Sequence, residues 1–161
     1  MATAHINIGS NIGDRLALTG QAAAAVESAL GAAATVSEPF ESEPWGFESA
    51  NGFINVGLNI DTGSLDPASF MRLLQEVERS IDGSSHRNAD GSYRDRLIDI
   101  DLIAVDTLVV DTPDLVLPHP RMHLREFVLR PMCEVWPGWR HPLLGLTPAE
   151  MAALAARQQR F

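Results

Sequence analysis

Hydrophobic and polar positions change period along the chain, and each change marks an element. His5-Ile6-Asn7-Ile8-Gly9 alternates with period two, as a half-buried strand does, and runs into a turn cluster at Gly9-Ser10-Asn11. The period then lengthens. Leu16, Thr19, Ala23, Val26 and Leu30 share one face at 3.6-residue spacing, which predicts a helix ended by Gly31. Thr35, Val36 and Phe40 predict a strand between Ala34 and Trp45, with Pro39 confining it to a sheet edge or a bulge. From Phe53 to Ile60 the alternation is cleaner: Ile54, Val56, Leu58 and Ile60 point one way, and Phe53, Asn55, Gly57 and Asn59 the other.

Asp66-Pro67 pairs a capping aspartate with proline at the first helical position, and Phe70, Leu73, Leu74, Val77 and Ile81 form the stripe of the helix behind it. Asp82 to Asp95 is rich in glycine, serine, asparagine and aspartate, so it reads as a long loop with a task of its own, a lid over a ligand. Ile98 to Val105 is β-branched and apolar enough for a central strand, with a small hairpin expected at Asp106 to Val110. Thr147-Pro148-Ala149-Glu150 is a capping box that opens a last helix towards Arg157. The order strand, helix, strand, strand, helix, strand predicts an α+β fold. It would have a ferredoxin-like βαββαβ core, an antiparallel sheet with two helices on one face, and a C-terminal helical segment.

Composition narrows the class. The 161 residues, 45% hydrophobic and 20% charged, suit one globular domain spanning 1–161. A formal net charge of -9 disfavours nucleic acid as a partner. All 12 basic residues are arginine, which excludes lysine Schiff-base chemistry and the lysine of Walker-type phosphate loops. Cys133 is the sole cysteine, so an internal disulfide and a cysteine-based zinc site are both ruled out. With no apolar run of membrane-spanning length and no basic-then-apolar leader at Met1 to Asn11, a cytoplasmic setting is expected.

Asp99 and Asp101, two apart in a strand, present carboxylates on one side with Cα atoms roughly 6.5–7 Å apart. Crowded like charges call for a neutralising cation, and hard oxygen ligands suit Mg²⁺ completed by phosphate oxygens. An isolated Asp-x-Asp more often only faces solvent. Here Arg87, Arg94, Arg96, Arg121, Arg125 and Arg130 gather in the same half of the chain, and guanidinium forks hold phosphate oxygens. His119 stands between Pro118 and Pro120, which restrict its placement. Glu43-Pro44-Trp45-Gly46-Phe47 and Asn51-Gly52-Phe53-Ile54-Asn55 set aromatic rings beside an amide, suited to a flat heterocycle or equally to a packed core.

Taken in order, these stretches resemble the 6-hydroxymethyl-7,8-dihydropterin pyrophosphokinases. The resemblance runs through Ile8 to Arg15, Glu43-Pro44-Trp45-Gly46, Phe53-Ile54-Asn55, Gln75 and Glu78, Asp95 to Asp101, Leu117-Pro118-His119-Pro120-Arg121, Arg125, Phe127-Val128-Leu129 and Pro131. It implies transfer of pyrophosphate from ATP to the pterin's hydroxymethyl oxygen in folate biosynthesis, with release of AMP. By resemblance, Asp99 and Asp101 hold two Mg²⁺ ions. Gln75, Glu78, Arg96, His119 and Arg125 bind ATP, with Arg96 and Arg87 also catalytic. Pterin falls to Pro44, Trp45, Gly46, Phe53, Asn55 and the ring of Phe127. The segment between Glu78 and Arg96 departs from the family pattern, with Tyr93 and Asp95 where tryptophan and proline are usual. A monomer is expected. A non-catalytic ferredoxin-like module that binds a nucleotide or metabolite is the alternative, and a carboxylate–histidine metal-storage domain a third reading.

Overall fold

Three long strands carry the alternation that builds the sheet. The computed structural model describes residues 2–42, 52–82 and 97–158. Within these, β1 (Thr3–Ser10), α1 (Arg15–Leu30), β2 (Thr35–Val36), β3 (Phe40–Ser42), β4 (Phe53–Asp61), α2 (Pro67–Ile81) and β5 (Asp99–Val105) follow the expected order. The strands lie β2-β4-β1-β5, with β3 also on β4, and every pairing is antiparallel. This is the ferredoxin-like arrangement. Among the described residues, no helix is long and apolar enough to cross a membrane.

Ile6 and Ile8 of β1, Val56, Leu58 and Ile60 of β4, and Ile100 and Leu102 of β5 face one side. There they bury against Ala22, Ala23 and Val26 of α1 and Phe70, Leu74 and Val77 of α2. Asp14 caps α1 by accepting from the Ala17 amide at 3.2 Å, and Gly31 ends it with φ at 65°. Asp66 caps α2 on the Ser69 amide at 2.8 Å. Leu16, expected on the apolar stripe of α1, is 57% exposed, because it lies in the first turn, where Thr19 and Ala22 meet the core instead.

The opposite face is covered by α3 (Glu126–Val135) and α4 (Pro148–Gln158), with Ile103, Ala104, Met122, Val128, Leu129, Met132 and Met151 forming a second core. The capping box holds reciprocally: the Thr147 amide donates to Glu150 at 3.0 Å, and the Glu150 amide to the Thr147 hydroxyl at 3.3 Å. Three expectations are corrected. β5 pairs only with β1 among the described residues, so it is an edge strand; its apolar character comes from helices on both faces, not from two strand neighbours. The hairpin lies further on, β6 (Val110–Asp111) against β7 (Val116–Leu117), because Asp106 adopts a positive φ that turns the chain straight after β5. Finally, β1 runs through Gly9 and Ser10 as strand, and the bend falls at residues 12–14, where Gly13 has φ 74°. Of the segment expected to form a lid, Asp82 to Asp95, all but Asp82 lies outside the described residues.

The interface between α3 and the sheet contains an ionisable group. His5 is fully buried, its Nδ1 2.7 Å from the Asn59 side-chain oxygen and its ring against Trp136, with centroids 6.4 Å apart. Nδ1–H donates to Asn59, while Nε2 is buried without a hydrogen-bond partner among the described residues. Burial outweighs the Asn59 bond and lowers the His5 pKa from 6.5 to about 4. The unfolded chain therefore takes up this proton first as pH falls. The stability due to neutral His5 is complete above about 6.5 and is lost between there and about 4, a loss of roughly 3 kcal/mol. Urea midpoints from pH 7 to 4 should fall less steeply in His5→Phe than in the parent; equal slopes would mean that His5 does not titrate this way.

Candidate active site

Strand register brings the chemistry together. Across β5, β1 and β4, Asp101 stands opposite Asn7 and Asn7 opposite Gly57, while Asp99 stands opposite Gly9 and Gly9 opposite Asn55. These two adjacent rows occupy the face away from α1 and α2. Ile100, between the aspartates, is buried in the first core, whereas both aspartates are half-buried on the other side. The common face expected of Asp99 and Asp101 is thus present. Among the described residues no group of three or more histidine, cysteine or acidic side chains forms a closed metal site. Two carboxylates in such an open setting fit a hard divalent cation that takes its remaining ligands from water and phosphate.

Beside the carboxylates lies a cradle made by a missing side chain. A Cβ on Gly9 would come within 2.7 Å of Asn55 Oδ1 and 3.4 Å of Phe53 Cδ1, so only glycine lets these two groups lie across β1. Asn55 is buried and donates its Nδ2–H to Ser42 Oγ at 3.0 Å, which fixes its amide. Arg15 donates to the Gly52 carbonyl at 2.7 Å and anchors the start of β4. The result is an oriented amide beside an aromatic edge, separated from Asp99 by β1.

On the other side of β5 is a cavity of about 310 Å³, lined by Gln75 of α2, Asp101, Leu102, Leu115, Val116 and His119 among others. The backbone amide of His119 donates to the Ile103 carbonyl at 2.8 Å, which ties this wall to β5. Its Nδ1 accepts from the Arg121 amide at 3.2 Å, so the neutral ring carries its proton on Nε2. Burial first, then the charges of Arg125 and Arg121, lower the His119 pKa from 6.5 to about 4. At neutral pH, His119 is therefore an uncharged donor. Two arginine charges close enough to repel its imidazolium form would equally attract an anion.

Gln75, Asp101 and His119 meet at this cavity, and Asn55 and Phe53 meet at the cradle. Phe127 lies in the first turn of α3 with the Arg125 guanidinium 5.5 Å from its ring centre. Glu78 accepts from the Ile100 amide at 2.8 Å, and Asp82 from the Leu97 amide at 3.0 Å, so Glu78 of α2 and its C-cap Asp82 brace β5 and the residues that lead into it. Pro44, Trp45, Gly46, Arg87 and Arg96 lie outside the described residues. Sequence reasoning missed Gly9 as a cradle element and Leu115–Val116 as a cavity wall. The signal for the first was a glycine inside an alternating strand, which marks close approach of another group.

Comparison with known proteins gives this geometry a family. Residues 5–137 match the model of the family described as 7,8-dihydro-6-hydroxymethylpterin-pyrophosphokinase (HPPK). The chain is 38% identical over 143 residues to a 2-amino-4-hydroxy-6-hydroxymethyldihydropteridine pyrophosphokinase of Porphyromonas gingivalis, covering 88% of this chain and 95% of that protein. It is 35% identical over 133 residues to the Bacillus subtilis protein of the same name, covering 82% and 77%. It also shares its fold with the wild-type HPPK-DHPS of Plasmodium falciparum, at a TM-score of 0.75 and 12% identity; 99% of this chain is covered but only 45% of that one. The chain belongs to the 7,8-dihydro-6-hydroxymethylpterin-pyrophosphokinase family.

Proposed function

We propose that this chain transfers the terminal two phosphates of ATP to the hydroxymethyl oxygen of 6-hydroxymethyl-7,8-dihydropterin, forming the pterin diphosphate and AMP in folate biosynthesis. The supporting observation is the order of groups across the sheet. The Asn55–Phe53 cradle lies on the β4 side of Asp99 and Asp101, and the cavity with Gln75 and His119 on the other. An alcohol bound at the cradle and a triphosphate extending from the cavity would meet at the carboxylate pair.

In this reading, Asn55 pairs with the edge of the pterin and Phe53 and Phe127 bound its faces. Gln75, Glu78, His119, Arg125 and Arg96 hold the nucleotide, with Arg87 and Arg96 assisting transfer. Asp99 and Asp101 would hold two Mg²⁺ ions, whose charge, when bound, neutralises the phosphate oxygens. The residues themselves position and neutralise: Nε2–H of His119 offers a hydrogen bond without adding charge, and Arg125 offers a fixed cation. Phosphoryl transfer of this kind needs no protein nucleophile. In this reading the chain acts as a monomer, and ATP supply suits a cytoplasmic setting.

Incubation of the chain with ATP, Mg²⁺ and the reduced pterin should release AMP in step with pterin diphosphate, and omission of the pterin should abolish both. Tight ATP binding with no AMP would point instead to a regulatory module.

A further inference from the structure

Asn7 has no part in the functional reading above, yet it is 3% exposed and lies on the site face in the same row as Asp101. Its Nδ2–H donates to the main-chain carbonyl of Phe127, 120 residues along the chain, at 2.9 Å. That carbonyl is in the first turn of α3, and the α-helical bond it would accept comes from residue 131. Residue 131 is Pro131, inside the helix, with no N–H to give. Asn7 supplies the donor that the helix lacks.

The same proline is seated against the sheet. A Cβ on Gly57, the partner of Asn7 in β4, would lie 2.8 Å from Pro131 Cβ. One row therefore receives both consequences of the helical proline: Gly57 receives its ring, and Asn7 satisfies the carbonyl one turn before it. At the far end of α3, Asn59 Nδ2 donates to the Val135 carbonyl at 3.3 Å. With Asn7 at the near end, the helix is pinned to the sheet at two points.

We infer that Asn7 is a positioning residue: its bond to Phe127 fixes the first turn of α3, and with it the Phe127 ring, relative to the carboxylates and the cradle. This rests on the proposed pterin role of Phe127. Alanine at 7 leaves the Phe127 carbonyl without this donor and frees the first turn to shift. Pterin binding should suffer and nucleotide affinity should not, since Gln75 and His119 stand on other elements and Arg125, ahead of α3, is held by its amide's bond to the Met122 carbonyl at 3.1 Å.

The test uses steady-state kinetics of the full chain in the four forms of one cycle: parent, Asn7→Ala, Pro131→Ala and the double variant. Asn7→Ala should raise the pterin KM about tenfold, with the ATP KM unchanged. The double variant regains an N–H at 131 that can bond the Phe127 carbonyl within the helix. Its pterin KM should return to that of Pro131→Ala alone. Hydrogen exchange of the Leu129 and Arg130 amides, read without substrates, should quicken in Asn7→Ala and slow again in the double variant. An active parent with unchanged pterin KM in Asn7→Ala overturns this inference alone. So does a rise in both KM values that Pro131→Ala fails to reverse. A parent that makes no AMP overturns the functional reading together with the inference.

Discussion

Asp99→Asn and Asp101→Asn should each lower AMP formation by on the order of 10²-fold or more while the chain stays folded. The two carboxylates project from one face of β5 with Ile100 buried between them, so the substitution leaves the core untouched. Like charges two residues apart repel, and removal of one relieves that repulsion; melting temperatures should stay level or rise slightly. Asparagine keeps the size and one acceptor oxygen but loses the charge that holds a divalent cation against a triphosphate. Turnover close to that of the parent in both variants would remove the aspartates from the site. A collapse in melting temperature would make them structural.

Gly57→Ala should strongly destabilise the fold. The new Cβ would sit 2.8 Å from Pro131 Cβ and 3.0 Å from His5 Cε1, neither of which is the free end of a flexible chain. The first belongs to a helix pinned at both ends, the second to a fully buried ring held by Asn59. Overpacking of this kind costs about 1–3 kcal/mol, and the absence of any yielding neighbour favours the upper end. For a chain of this size that lowers the melting temperature by roughly 5–10 °C. A fall of under about 2 °C would mean that α3 rides away from the sheet easily. Gly20 offers a control, as nothing lies within 4 Å of a Cβ placed there.

The comparison between sequence and structure divides by the range of the interactions involved. Local grammar was readable: Asp66-Pro67 opens α2, Thr147 to Glu150 opens α4, Gly31 ends α1, and the alternation of β4 sets Asn55 apart from the aliphatic row. Asp99 and Asp101 were readable because a charged pair between buried aliphatic residues breaks the pattern. Helix α3 was not. Pro131 in its middle reads as a breaker, and its apolar stripe of Val128, Leu129 and Met132 is short. Only the sheet it lies on, with a glycine opposite the proline, makes a helix there stable. Likewise, an apolar strand such as β5 looks the same whether strands or helices bury it, so its edge position was hidden. The link between Asn7 and Phe127 depends on register and on packing between distant segments, and no spacing rule encodes it.

The bracing of β5 has a consequence for the chain in concentrated solution. Exposed outer strands invite a second copy to zip onto them, and proteins commonly deter this with lysine. This chain has no lysine. Instead Asp82 and Glu78 claim the amides of Leu97 and Ile100, and the His119 amide claims the carbonyl of Ile103. An incoming strand would have to evict two carboxylates and a main-chain donor before its first rung could form. The two acids at the end of α2 and the amide of His119, whose side chain lines the cavity, thereby also guard the molecule against self-assembly along this side.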